Sequence, residues 1–250
     1  MSKQQQAIEI MLAILKPDVA VQAIFLKGSL ARDEADADSD VDFYCLIESK
    51  HMDAFLERRW SILAQYRPIL YRAEANFVGP QAVVVYDNGL HFDLFAVTLE
   101  KFPTTEPIKV LHDPDHLLDD YTAEPLTITL EDVLRHFDYF AFTLIEVKAA
   151  INRGNLLWAR ALLARMSTDI AFVYRYRFDP AHAQLAMRHI DRVLDPKTKA
   201  QLERARHAPI HEAALISIDT MRDIARQYPD DTPFNWVFFD YMHVQIKSLG

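Results

Sequence analysis

The chain has 250 residues, of which half are hydrophobic and a quarter are charged, and its formal net charge is −9. Such a composition is typical of a soluble globular protein with one large domain or two small ones. The negative charge argues against nucleic acid as a partner, because a polynucleotide requires a basic surface. The single cysteine, Cys45, allows no internal disulfide. No apolar run has membrane-spanning length and no signal-peptide pattern is visible, so we expect a cytoplasmic protein with no membrane partner.

The first elements predicted along the chain are a helix, a strand, a turn and a second strand. Apolar residues at helical spacing predict a helix over residues 5–15, which Pro17 ends. The apolar run Val21–Leu26 predicts the first strand, and the run Val41–Ile47 predicts the second. Between them, the Gly-Ser pair at 28–29 indicates a tight turn with a short helical segment.

Two carboxylates, Asp40 and Asp42, lie at the start of the second strand in Asp-x-Asp spacing. Because side chains alternate along a strand, both carboxylates should point to one face, while Val41 and Phe43 point into the core. Like charges about 6–7 Å apart repel each other unless a cation lies between them. The pattern therefore predicts a magnesium site, since Mg²⁺ prefers carboxylate and phosphate oxygens.

Three residues of the turn suit a phosphate group. Gly28 allows the backbone to approach a phosphate closely. Ser29 offers a hydroxyl and a backbone N–H, and Arg32 offers a positive charge. We therefore predict that Gly28, Ser29 and Arg32 bind a phosphate group of a substrate.

The order Gly-Ser, a spacer of about ten residues and Asp-x-Asp resembles the signature of the polymerase-beta-like nucleotidyltransferase superfamily. Within it, GSLAR…SDVDF is similar to the antibiotic (aminoglycoside and lincosamide) nucleotidyltransferases. The resemblance implies an α+β fold: a nucleotidyltransferase-type mixed β-sheet domain with flanking helices, followed by an all-α helical bundle. Lys27 stands where the family usually has an apolar or aromatic residue, and Asp33 where a glycine is common.

The rest of the first half reads as a helix, a strand, a hairpin and a last strand. The predicted ranges are 52–66 for the helix, 69–78 for the strand, 82–86 and 90–97 for the hairpin, and 108–111 for the last strand. The Asp87-Asn88-Gly89 turn between two apolar runs is a strong hairpin signal. Prolines between residues 101 and 128 indicate a linker.

Asp93 interrupts the apolar return strand of the hairpin. Alternation places His91, Asp93 and Phe95 on one face, opposite Phe92 and Leu94. A charge within an apolar strand is a local conflict of the kind that concentrates at functional sites. The resemblance implies a third carboxylate at the metal, and Asp93 fits that role as ligand and catalytic residue. The alternative is an edge-strand aspartate that faces water.

The second half is predicted to be entirely helical. The predicted helices span residues 130–153, 156–176, 209–227 and 234–249, with Gly154 after the first of them. Asn155 can cap the second of these helices, and Asp179-Pro180 and Asp195-Pro196 each resemble a cap followed by proline at the first helical position. Short loops between helices suggest a bundle. We therefore predict a catalytic domain over residues 1–125 and a helical bundle domain over residues 126–250.

The bundle contributes two further candidates by resemblance. Related enzymes often direct a lysine of this domain at the nucleotide phosphates, and Lys148 fits, although a surface lysine is an equal alternative. Glu146 is either a base toward the acceptor or a solvated helix residue. The His112–His116 segment has metal-binding residue types, but it lacks cysteines and a third anchored ligand, which argues against zinc.

The resemblance implies a magnesium-dependent adenylyltransferase that moves AMP from ATP to a hydroxyl of a small molecule such as an antibiotic. Its partners would be a nucleoside triphosphate and a small-molecule acceptor. The alternative is a regulatory or antitoxin-type nucleotidyltransferase that acts on a protein partner. A non-catalytic relative is a third reading, against which Asp40, Asp42 and Asp93 argue. The acceptor, the nucleotide preference and the oligomeric state stay open.

Overall fold

The first half of the chain is built around a six-stranded mixed sheet. The computed structural model describes residues 1–76 and 78–249, and the chain divides into two units, residues 1–125 and residues 126–250. The strands of the first unit are β1 (Val21–Leu26), β2 (Val41–Ile47), β3 (Ile69–Asn76), β4 (Pro80–Tyr86), β5 (His91–Val97) and β6 (Lys109–His112). Its helices are α1 (Lys3–Leu15), the single turn α2 (Gly28–Ala31) and α3 (Met52–Leu63).

The strand order is β3-β4-β5-β2-β1-β6. Strands β2 and β5 pair in parallel, whereas the other neighbours pair antiparallel. This sheet with flanking helices, followed in the chain by a helical region, confirms the predicted α+β fold class. The β4–β5 hairpin turns at Gly89, whose φ of +72° is the left-handed conformation that glycine adopts without strain.

The two faces of the sheet bury different sets of residues. Side chains of α1 and α3 cover one face, where Val41 and Phe43 are completely buried, as predicted. On the opposite face, Tyr44 and Phe95 stack with their ring centroids 4.2 Å apart. Because side chains alternate along each strand, Asp42 lies on the same face as Tyr44. The candidate carboxylate of β2 therefore belongs to the face with the smaller apolar cluster.

Within residues 126–249, the second unit contains five α-helices, which surround its own apolar core. They are α4 (Leu130–Asn152), α5 (Leu156–Phe178), α6 (Pro196–His207), α7 (Ile210–Ala225) and α8 (Trp236–Lys247). Thr129 and Asp132 form a capping box at the start of α4, which satisfies amide groups that a helix end leaves unpaired. Asp195 caps α6 as predicted, because its side chain accepts hydrogen bonds from the amides of Lys197 and Thr198.

Asn155 and Asp179 occupy the predicted N-cap positions, but neither side chain caps its helix. Asn155 makes no side-chain capping bond to α5. Asp179 makes none either, because its carboxylate pairs instead with Arg175 and, at 2.7 Å, with His182. The segment Pro180–Leu185 forms a short 3-10 helix there.

Several element ends also differ from the predicted ranges. The helix predicted over 52–66 ends at Leu63, and the helices predicted over 209–227 and 234–249 are each shorter at both ends. In the strand predicted over 69–78, Phe77 lies outside the described residues, and the observed strand ends at Asn76. Within residues 1–76 and 78–249, no helix combines the length and apolar character that crossing a membrane requires.

Candidate active site

The parallel pairing of β2 and β5 brings two predicted carboxylates together. Asp42 and Asp93 are direct partners in the strand register. Asp40 lies one residue before β2, and His91 is the first residue of β5. Because the two strands run in the same direction, all four residues meet at the amino ends of these strands.

His91 lies between two carboxylates at this end of the sheet. Its Nε2 atom is 3.1 Å from Oδ1 of Asp93, and its Nδ1 atom is 3.7 Å from Oδ2 of Asp40. Among the described residues, Asp40, His91 and Asp93 form a group whose potential ligand atoms all lie within 4.8 Å of one another. One cation can therefore reach all three residues.

Asp93 is the buried member of the group, with 6% of its surface exposed. Burial raises the pKa of its carboxyl above the usual value, and the nearby charge of His91 and a hydrogen bond from the Gln81 side chain partly offset this effect. The negative charge of Asp40 raises the pKa further. Without a bound cation, these neighbours do not fully offset the cost of burying a negative charge. Folding therefore disfavours the ionised form of Asp93.

We expect Asp93→Asn to raise the free energy of unfolding of the metal-free protein at pH 7. A pKa raised by folding means that the stability contribution of Asp93 is fully present below its unfolded pKa and is lost as pH rises through the folded pKa. Asparagine does not titrate, so the stability that Asp93→Asn gains over the wild type should decrease as the pH falls toward 4. Chemical denaturation in EDTA at several pH values measures this, and a less stable variant at pH 7 would contradict the role of burial.

Gln81 is a residue of this site that the sequence did not reveal. It lies on β4 opposite Phe95, two residues before Val83, which pairs with Asp93. Its side chain is almost fully buried and bonds to Asp93, while its Oε1 atom is buried without a hydrogen-bond partner. No local pattern marks this glutamine, because its role depends on the β4–β5 register.

Gly28 lies directly against the carboxylate of Asp42. Its φ is +65°, and a Cβ atom at this position would lie 2.1 Å from Oδ2 of Asp42. No side chain fits into that space. The glycine of the predicted turn is thus required both by its backbone conformation and by the position of Asp42.

Lys27, a departure from the family pattern, is buried beside the same aspartate. Its ammonium group donates a hydrogen bond of 2.8 Å to the carbonyl of Pro103 and lies 5.7 Å from the centre of the Tyr44 ring. Burial lowers the pKa of Lys27 to about 8, against the opposing effect of the charges on Glu106 and Asp42. The aromatic face thus accommodates the cation where the family usually has an apolar residue.

Arg32, which we predicted to bind phosphate, is held by two carboxylates. Its Nη1 atom donates to Glu106 at 2.7 Å, and its Nε atom donates to Glu34 at 2.8 Å. The next residue, Asp33, has a φ of +56°, which explains why a glycine is common at this position in the family. Ser29 is half-buried, and its carbonyl accepts a hydrogen bond from the amide of Glu34.

The two candidates of the second unit differ in their surroundings. Lys148 lies on α4, is half-buried and donates a hydrogen bond to the side chain of Gln245 on α8. Glu146 is exposed on the same helix. Roles for both residues in catalysis stay predictions.

The residues present fit a bound divalent cation. Carboxylate oxygens of Asp40 and Asp93 lie within 4.8 Å of each other and are the hard ligands that Mg²⁺ prefers, whereas the carboxylate of Asp42 falls outside this group. Gly28 leaves the space into which the Asp42 carboxylate fits, and the buried Oε1 of Gln81, next to Asp93, has no hydrogen-bond partner. Both features suit a cation at this end of β2 and β5.

The chain was compared with known proteins by sequence and by structure. No curated protein sequence matches the chain significantly. An aminoglycoside 6-adenyltransferase from Bacillus subtilis is 12% identical with a TM-score of 0.42, over 100% of this chain and 99% of the other. A spectinomycin adenyltransferase from Enterococcus faecialis, solved with ATP and spectinomycin, is 12% identical with a TM-score of 0.37. This match covers 98% of this chain and 100% of the other.

The family match covers the residues of the candidate site in the first unit. Residues 6–113 match the family described as nucleotidyltransferase domain. This range contains the Gly28–Asp42 segment as well as Gln81, His91 and Asp93. The resemblance of this part of the chain to the nucleotidyltransferase family is therefore confirmed.

Proposed function

We propose that this protein is a magnesium-dependent adenylyltransferase that moves AMP from ATP to a hydroxyl group of a small molecule such as an antibiotic. The observation that carries this proposal is the pairing of β2 with β5, which makes Asp42 and Asp93 neighbours inside the range that matches the nucleotidyltransferase domain. Because ATP is an intracellular substrate, we place the reaction in the cytoplasm.

Asp40, Asp42 and Asp93 would hold the divalent cation. Bound there, Mg²⁺ would stabilise the negative charge that develops on the attacking and leaving oxygens at the α-phosphate. The buried position of Asp93 and the packing of Asp42 against Gly28 support this assignment, because both restrict the carboxylates before a ligand binds.

Asp93 is also our candidate for the general base. In the proposed step, the acceptor oxygen forms a bond to the α-phosphorus, the bond from that phosphorus to the bridging oxygen breaks, and pyrophosphate leaves. The proton of the acceptor hydroxyl passes to the Asp93 carboxylate. A carboxyl whose pKa is raised by burial is a stronger base than an exposed one, which supports the role.

Gly28, Ser29 and Arg32 would bind the phosphates that leave as pyrophosphate, with Lys148 as a further candidate. For Arg32 this requires an exchange of partners, because Glu34 and Glu106 already accept hydrogen bonds from its guanidinium. A phosphate oxygen can take the place of either carboxylate, since both offer the same kind of acceptor.

The test is a transfer assay with α-labelled nucleoside triphosphates, Mg²⁺ and a panel of hydroxylated acceptors that includes aminoglycosides and lincosamides. We expect label from ATP on one acceptor, equimolar release of pyrophosphate, and no product in EDTA. Label that appears on a protein would favour the regulatory alternative. Absence of labelled product with every acceptor and nucleotide would contradict the proposal.

A further inference from the structure

The candidate metal site contains a histidine, His91, in addition to its carboxylates. The imidazole of His91 faces Asp93 with one ring nitrogen and Asp40 with the other, at 3.1 Å and 3.7 Å. Its side chain is 43% exposed, so a cation can approach it from solvent. The nearby Asp93 carboxylate is anchored from the buried side by Gln81.

The type of ligand affects which cation a site prefers. Mg²⁺ favours oxygen ligands in a near-ideal octahedron, and it retains much of its hydration. Imidazole nitrogen favours transition-metal ions, whose affinities for nitrogen-containing sites increase from Mn²⁺ toward Cu²⁺. One nitrogen beside two carboxylate oxygens is therefore a donor set that Mn²⁺ accepts more readily than Mg²⁺ does.

A second observation points to a ligand at the same place. Gln81 is 8% exposed and reaches Asp93, yet its Oε1 atom is buried without a hydrogen-bond partner. A buried acceptor without a partner is costly. The protein's own groups thus leave the polar surroundings of Asp93 incomplete.

We propose that His91 is a ligand of the cation bound by Asp40 and Asp93, and that this nitrogen ligand makes the site prefer Mn²⁺ over Mg²⁺. The inference rests on the proposed function only in using the same metal site. It assigns to His91 a direct role in metal binding, which a site made of carboxylates alone would lack.

The experiment measures metal binding to the full-length protein without nucleotide. Electron paramagnetic resonance gives the affinity for Mn²⁺, competition gives the affinity for Mg²⁺, and pulsed measurements detect a nitrogen nucleus bound to Mn²⁺. We expect tighter binding of Mn²⁺ and an imidazole nitrogen coupling in the wild type. His91→Ala and His91→Gln should lose the coupling and about 10–100-fold in Mn²⁺ affinity, with a smaller loss for Mg²⁺.

His51 provides the matched control. It is a similarly exposed histidine of the first unit, 3.6 Å from a single carboxylate, Glu48. His51→Ala should retain the coupling and the Mn²⁺ affinity. Absence of nitrogen coupling in the wild type, or equal losses for both metals in the His91 variants, would overturn the proposal.

The outcomes also separate this inference from the proposed function. If a nitrogen coupling is found but no nucleotidyl transfer, the role of His91 is supported and only the proposed transferase activity is contradicted. Transfer without a nitrogen coupling supports the transferase and overturns the role of His91.

Discussion

Gly28→Ala is expected to lower the rate of nucleotidyl transfer by about 100-fold or more, because it displaces the carboxylate that we propose as a metal ligand. A Cβ atom at this position would lie 2.1 Å from Oδ2 of Asp42, so the carboxylate has to move. A shift of about 1 Å in a positioned group is enough for such a loss. The rate is measured with the acceptor that the transfer assay identifies.

Gly89→Ala is the control for this variant. Gly89 has a φ of +72°, close to the +65° of Gly28, but no atom lies within 4 Å of a Cβ built on it. Both variants therefore carry the same backbone strain, on the order of 1 kcal/mol, and only Gly28→Ala displaces Asp42. Wild-type transfer by Gly28→Ala, or an equal loss in Gly89→Ala, would show that the packing of Asp42 against Gly28 is unimportant.

Asp42→Asn is expected to reduce kcat by about 10³-fold while the protein stays folded. Removal of one electrostatic group that acts on the transition state typically costs 10²–10³-fold, and loss of a carboxylate ligand also weakens the metal site. Circular dichroism should show an unchanged fold, because Asp42 is a half-buried strand residue and asparagine keeps its size and the β2–β5 pairing.

The control for Asp42→Asn is Asp38→Asn, which removes an exposed carboxylate of the same acidic loop. It should transfer at the wild-type rate. If Asp38→Asn were as defective as Asp42→Asn, the general negative charge of the loop would explain the effect, and the specific role of Asp42 would be wrong. Unfolding of Asp42→Asn would instead make this residue structural.

The sequence predicted those residues of the candidate site that a local pattern marks. Asp40 and Asp42 were marked by their spacing at the start of an apolar strand, and Asp93 by its conflict with the apolar strand around it. Strand alternation was enough to place each side chain on a face. The parallel pairing of β2 with β5 joins segments about 50 residues apart, and no local pattern encodes such a pairing.

The same limit explains what the sequence did not reveal. Gln81 reaches Asp93 only through the β4–β5 register, and the glutamate partner of Arg32 at residue 106 lies far along the chain. Asp179 occupies the predicted cap position, but its side chain does not cap the helix, for a related reason. A buried arginine, Arg175, takes that carboxylate, and burial of Arg175 depends on the packing of the whole helical unit.

We propose that these carboxylates form a metal-dependent site for a nucleoside triphosphate. The most direct measurement is calorimetric titration of the full-length protein with a non-hydrolysable ATP analogue, in Mg²⁺ or Mn²⁺ and in EDTA. Our account predicts binding that requires the metal and is lost in Asp42→Asn. Binding that is equally tight in EDTA, or unchanged in Asp42→Asn, would contradict it.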